Sequence, residues 1–130
     1  MQWPAEVVSN GIDTEKITMK NLQVLAEFLA SPNILAPNKE RRTVLLSEQG
    51  YHAPKSEAHA ENSAEELQAR ALLFAWQRLR ETDFVTAFDY HRWVDHPQEG
   101  GLRLGLRDLP TKERRYGPPK IGWRVFRDLA

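Results

Sequence analysis

Two short apolar runs, each followed at once by polar residues, constrain the fold of this chain most strongly. The first run, 43–46, shows no alternation, which favours a strand covered on both faces. The second run, 84–88, is rich in aromatic and β-branched residues. A helical pattern lies between them, and strands separated by a helix pair in parallel with a right-handed crossover. The sequence therefore predicts an α/β fold.

The helices are predicted from apolar residues spaced three and four apart. The first spans roughly 19–31, and the last spans Ile121–Leu129. The middle helix begins at Ala64, because Ser63 and the glutamate three positions later match a capping box. Its apolar stripe faces the core, so Gln68 on the other side of the helix is predicted to face solvent. The predicted order is helix, strand, helix, strand, helix, with a loop or connection over 1–16 and a single partial domain whose folded segment covers 17–130.

Composition excludes several classes of function. Eighteen basic residues balance eighteen acidic ones, so no positive field favours nucleic acid. The longest apolar run, 71–76, is far too short to cross a membrane. There is no cysteine, hence no thiolate chemistry. We expect no cofactor, no nucleic-acid partner and no membrane partner. No export signal is visible near Met1, and the cellular location stays open.

The candidate site lies where the two strands end, because ligands of parallel sheets bind at the carboxyl ends of strands. Glu48 directly follows the first run, where a carboxylate could serve as nucleophile or general acid/base. If the period of two continues past the second run, Asp89, His91 and Trp93 share one face. Asp89 and His91 could then form an acid–imidazole pair. The structural alternative for Glu48 is an acid paired with arginine or with the backbone. For Asp89 and His91 it is a hydrogen-bonded rim that ties the loops together.

A metal site is a further alternative. His91, Asp95 and His96 could be ligands, joined by His52 and His59 from the preceding loop. None of the established zinc spacings occurs among them. We therefore predict no metal site.

Three segments of the chain resemble a known group of proteins. The segments 43–52, 84–97 and 99–106 are similar to the C-terminal part of an uncharacterised bacterial family related to glycoside-hydrolase (β/α)8 barrels. The segments 20–25 and 120–126 also fit. The resemblance extends from about residue 15 onward.

The resemblance implies that the two runs are the seventh and eighth strands of a TIM-barrel-like fold. It also implies that Glu48 is the nucleophile of a retaining glycosidase, with Tyr90 or Trp93 lining the sugar site. The partner is then a carbohydrate, and the candidate substrate-binding residues are Tyr51, His52, Asp89, Tyr90, His91 and Trp93.

Length qualifies this interpretation. A full barrel takes about 250 residues, and this sequence has 130. Strands one to five, and the acid/base glutamate with them, are not in it. We expect either a piece of a longer protein or a chain that associates with itself or with the missing barrel half, inactive alone. Two alternatives remain open: a noncatalytic carbohydrate-binding or interaction protein, and an enzyme remnant with a scaffolding role.

Overall fold

The computed structural model describes residues 8–54 and 61–129, with backbone only at 61–63. Its elements follow the predicted order and confirm the α/β class. They are α1 (Leu22–Leu29), β1 (Val44–Gln49), α2 (Glu61–Arg80), β2 (Val85–Tyr90) and α3 (Ile121–Leu129).

Two helix boundaries differ from those predicted. Helix α1 is shorter, and Asn21 before it accepts a hydrogen bond from Thr18 N at 2.7 Å and donates to Ser9 O at 2.8 Å. Helix α2 already includes Glu61, so Ser63 lies inside the helix and is not its N-cap. The capping-box prediction is therefore wrong.

The two strands are parallel neighbours. Val44 N donates to Phe84 O, and His91 N donates to Gln49 O, both at 2.8 Å. Both bonds fit a single register, in which Val44 lies opposite Val85 and Gln49 lies opposite Tyr90. This register brings the carboxyl ends of both strands together.

Strand β1 is not covered on both faces, which corrects the prediction made from its sequence. Leu45 is 58% exposed, and Ser47 and Glu48 are exposed as well. Exposure alternates along the first part of β1, with Leu45 and Ser47 more exposed than Val44 and Leu46, so one face of the strand is open within the described ranges. An apolar run without alternation shows which side chains are apolar, but it does not show which faces of the strand are covered.

The described residues form two compact units. The first contains 8–45 and 78–86. Its core combines apolar residues of α1 with Leu79 and Phe84. Arg78 Nε donates to Met19 O at 3.2 Å, and Arg41 forms an ion pair with Asp83 at 2.5 Å.

The second unit contains 46–54, 61–77 and 87–129 and includes both candidate strand ends. Its buried apolar residues are mostly small, namely the alanines Ala53, Ala64, Ala69 and Ala75 and the leucines Leu72 and Leu106. Gln68 is buried with them, so the predicted outward orientation of Gln68 is wrong. Leu67 and Phe74, predicted for the buried stripe, are about half exposed. The buried face of α2 is thus rotated from the one that apolarity indicates.

Candidate functional site

Glu48 and Asp89 lie opposite each other at the carboxyl ends of β1 and β2. The register that pairs Gln49 with Tyr90 places these two acids on adjacent strands, whose backbones are about 4.8 Å apart. Both residues are exposed. Among the described residues, neither carboxylate has an ion-pair or hydrogen-bond partner. The pair is therefore available to a ligand.

His91 follows β2, and its backbone is fixed by the bond from its N–H to Gln49 O. Its Nε2 lies 3.6 Å from Glu99 Oε1, and Arg92 Nη1 donates to the same oxygen at 2.7 Å. The carboxylate that the structure places beside this imidazole is thus Glu99, which the sequence did not single out. The alternative of an Asp89–His91 pair has no such contact to support it.

Trp93 presents an aromatic surface near the end of β2. Trp93 is 45% exposed. Its ring packs edge-on against the ring of Trp123 on α3, with the two centroids 4.5 Å apart. Such an edge-to-face pair fixes the orientation of the indole. Trp93 is therefore both accessible and held in place.

Tyr51 and Tyr90 lie deeper in the second unit. Their rings are 6.2 Å apart, and Tyr90 also packs 5.9 Å from Phe126. The Tyr90 hydroxyl donates to Leu104 O at 3.1 Å. Burial raises the pKa of both phenols to about 12. Tyr90 is committed to packing, whereas the buried Tyr51 hydroxyl has no hydrogen-bond partner among the described residues.

His52 is also committed to the structure. Its Nδ1 accepts a hydrogen bond from Arg103 N at 2.9 Å, and the next residue, Ala53, donates its N–H to Arg103 O at 3.0 Å. Burial lowers the pKa of His52, and the cations of Lys120 and Arg103 lower it further. The neutral imidazole therefore joins the segment after β1 to the segment around 103.

A buried charged cluster supports these segments. Lys120 Nζ lies 2.7 Å from Asp95 Oδ2, and Lys120 is almost completely buried. Arg103 lies 3.5 Å from the same oxygen and 2.6 Å from Asp108. Burial lowers the pKa of Lys120, although the Asp95 carboxylate opposes this effect. A buried lysine facing a carboxylate is held by that pairing.

Asp95 and Gln68 organise the backbone around this cluster. Asp95 Oδ1 accepts from Gly105 N at 2.7 Å, and a Cβ at Gly105 would collide with the backbone of Asp95. Gln68 Nε2 lies within 3.3 Å of four carbonyl oxygens, those of Tyr51, Arg103, Leu104 and Gly105. Sequence reasoning missed Gln68, and a polar residue in a helix gives no local signal of burial.

The structure also bears on the metal alternative. The carboxylate of Asp95 faces Lys120 and Arg103 instead of His91 or His96. In the part of the chain that the structure describes, no three histidine or acidic residues are grouped as metal ligands. His59 lies outside the described residues. Over the same ranges, no helix is long and apolar enough to span a membrane.

Comparison with known proteins identifies a family without assigning an activity. The family of unknown function (DUF5722) matches residues 1–130. The chain belongs to this family. Neither the curated proteins nor the solved structures contain a significant match. The function of this DUF5722 chain must therefore be argued from its own residues.

Proposed function

We propose that this chain forms the seventh and eighth strand–helix units of a glycoside-hydrolase-type (β/α)8 barrel, with Glu48 as nucleophile. The observation that carries the proposal is the exposed pair of Glu48 and Asp89, which lie opposite each other at the carboxyl ends of parallel strands. Ligands of (β/α)8 barrels bind at that end of the strands. Strand ends hold acids in fixed positions, as such chemistry requires.

Glu48 would act by covalent catalysis. Its carboxylate attacks the anomeric carbon, and the bond from that carbon to the leaving oxygen breaks as a general acid protonates this oxygen. Water then hydrolyses the glycosyl ester, and the proton of that water returns to the acid. Retention requires the two carboxyl groups to lie about 5 to 5.5 Å apart. We assign that acid to a part of the barrel outside these 130 residues.

The neighbouring side chains suit a sugar. Asp89 supplies acceptor oxygens for hydroxyl groups, and Trp93 supplies an apolar ring that can stack on a sugar face. Within the described ranges the sheet has two strands, and its open edges are where further strands of a barrel would pair. These strands belong to the same polypeptide or to an associated chain, which size-exclusion chromatography with light scattering distinguishes.

The test is covalent trapping on the full-length protein. Activated 2-deoxy-2-fluoro glycosides lose a good leaving group readily, but the fluorine slows hydrolysis of the glycosyl ester, so a retaining nucleophile becomes labelled. A panel of such reagents is incubated with the protein, and peptides are mapped by mass spectrometry. We expect one label, on Glu48, and hydrolysis of the matching aryl glycoside.

Glu27→Gln is the matched control, because Glu27 is an exposed glutamate in α1. We expect Glu48→Gln to lose labelling and at least about a thousandfold in kcat, and Glu27→Gln to keep both. Label on another residue, or full activity of Glu48→Gln, overturns the assignment.

A noncatalytic carbohydrate-binding protein is the second candidate, and the exposed, oriented Trp93 favours it. In that case no reagent labels the protein, and Glu48→Gln has no hydrolysis to lose. Trp93→Ala would then lower sugar affinity in calorimetric titration. Hydrolysis abolished by Glu48→Gln excludes this second candidate.

A further inference from the structure

Beyond the two strand-end acids, a group of three side chains follows β2 and has no role in the proposed hydrolysis. It consists of His91, Arg92 and Glu99. We propose that Glu99 is a positioning residue that holds His91 with Nε2 protonated, so that His91 Nδ1 accepts a hydrogen bond from a sugar hydroxyl. The inference rests on the proposed carbohydrate site.

Glu99 is held in place by the backbone that follows β2. A turn presents it, since Glu99 N donates to His96 O at 3.3 Å and Leu102 N donates to Glu99 O at 3.0 Å. The next two residues, Gly100 and Gly101, have φ angles of 60° and 84°, a left-handed backbone that favours glycine. The chain therefore turns sharply just after Glu99 and brings its carboxylate back to the end of β2.

The carboxylate of Glu99 has two basic neighbours. Glu99 Oε1 lies 2.7 Å from Arg92 Nη1 and 3.6 Å from His91 Nε2. Arg92 already balances the carboxylate, so an uncharged imidazole suffices as the second partner. A distance of 3.6 Å exceeds a formed hydrogen bond, and contacts of this kind often shorten when a ligand binds.

The other ring nitrogen of His91 is Nδ1. An imidazole that donates from Nε2 leaves Nδ1 as an acceptor. The His91 side chain is 38% exposed, and it follows Asp89, another exposed acceptor. Both groups accept hydrogen bonds, which fits a ligand rich in hydroxyl donors. The chemical class that matches is a neutral polyol such as a sugar.

The experiment uses the full-length protein labelled with ¹⁵N-histidine. Long-range ¹H–¹⁵N spectra give the tautomer of each imidazole, and His91→Gln identifies the His91 signals. We expect Nε2–H in the parent protein and in Glu99→Gln, which keeps an acceptor oxygen, and a mixture of tautomers in Glu99→Ala. The Nδ1–H tautomer in the parent, or no change in Glu99→Ala, overturns the proposal.

A functional measurement separates this proposal from the previous one. With the aryl glycoside identified above, we expect Glu99→Ala to raise KM about two- to tenfold with little change in kcat, and Glu99→Gln to restore KM. If no glycoside is hydrolysed, the same variants are titrated with neutral monosaccharides while His91 Nδ1 is monitored. A change in the chemical shift of His91 Nδ1 on sugar binding that is lost in Glu99→Ala supports the positioning role even where catalysis is absent. No change in this chemical shift overturns it.

Discussion

The second unit contains two groups of charged residues in opposite situations. Asp95, Lys120 and Arg103 are buried, and both cations face the Asp95 carboxylate. Glu48 and Asp89 are exposed and have no ion-pair or hydrogen-bond partner within the described ranges. The buried group must be satisfied within the protein because water cannot reach it. The exposed group remains free for a ligand, so the first group supports the fold and the second is the candidate for chemistry.

We expect the largest loss of stability when the buried cation is removed. We expect Lys120→Met to lower the free energy of unfolding by about 3 kcal/mol, because it leaves Asp95 buried with one partner fewer. Denaturant unfolding of the full-length protein measures the change. The double variant with Asp95→Asn should recover part of the loss. If Lys120→Met lowers the free energy of unfolding by less than about 1 kcal/mol, the pair of Lys120 and Asp95 is not structural.

Gln68 gives the next largest effect. Gln68→Leu removes the side-chain amide that lies near four carbonyl oxygens, and we expect a loss of about 1 to 3 kcal/mol in unfolding free energy. Gln77→Leu, at an exposed position of the same helix, is the control and should change stability by less than about 0.5 kcal/mol. Equal effects of the two variants would contradict the role of Gln68.

His52 gives a smaller, pH-dependent effect. Its folded pKa lies below the ordinary value of 6.5, so its contribution to stability is complete above that pH and is lost as the pH falls through the folded pKa. His52→Asn keeps an acceptor for Arg103 N but does not titrate in this range. We expect its unfolding free energy to fall less between pH 7.5 and pH 5 than that of the parent. Parallel pH profiles would rule out this role.

The smallest effects are expected at the exposed strand ends. Glu48→Gln and Asp89→Asn should each change unfolding free energy by less than about 0.5 kcal/mol. The same thermal or denaturant measurements provide the test. A larger loss would place these acids with the buried, structural group and would weaken the proposed site.

The sequence predicted more of the fold than of the interactions at the site. Both strands followed from short apolar runs and the span of α3 from apolar periodicity, and Glu48 and Asp89 stood out because they follow those runs. Their adjacency needed the register, which the bond between His91 N and Gln49 O reveals. The contact of Glu99 with His91 depends on a turn that brings the chain back, and no local pattern indicates it.

The α/β class and the polar ends of both strands were thus predictable from the sequence, because apolar patterns and turn residues act over a few neighbouring positions. Which polar residues are buried depends on tertiary packing. Gln68 meets carbonyl groups up to 37 residues away, and Glu65 accepts a hydrogen bond from Ile121 N across 56 residues. Such partners are chosen by packing, which brings together positions distant in the chain and decides which charges water can reach.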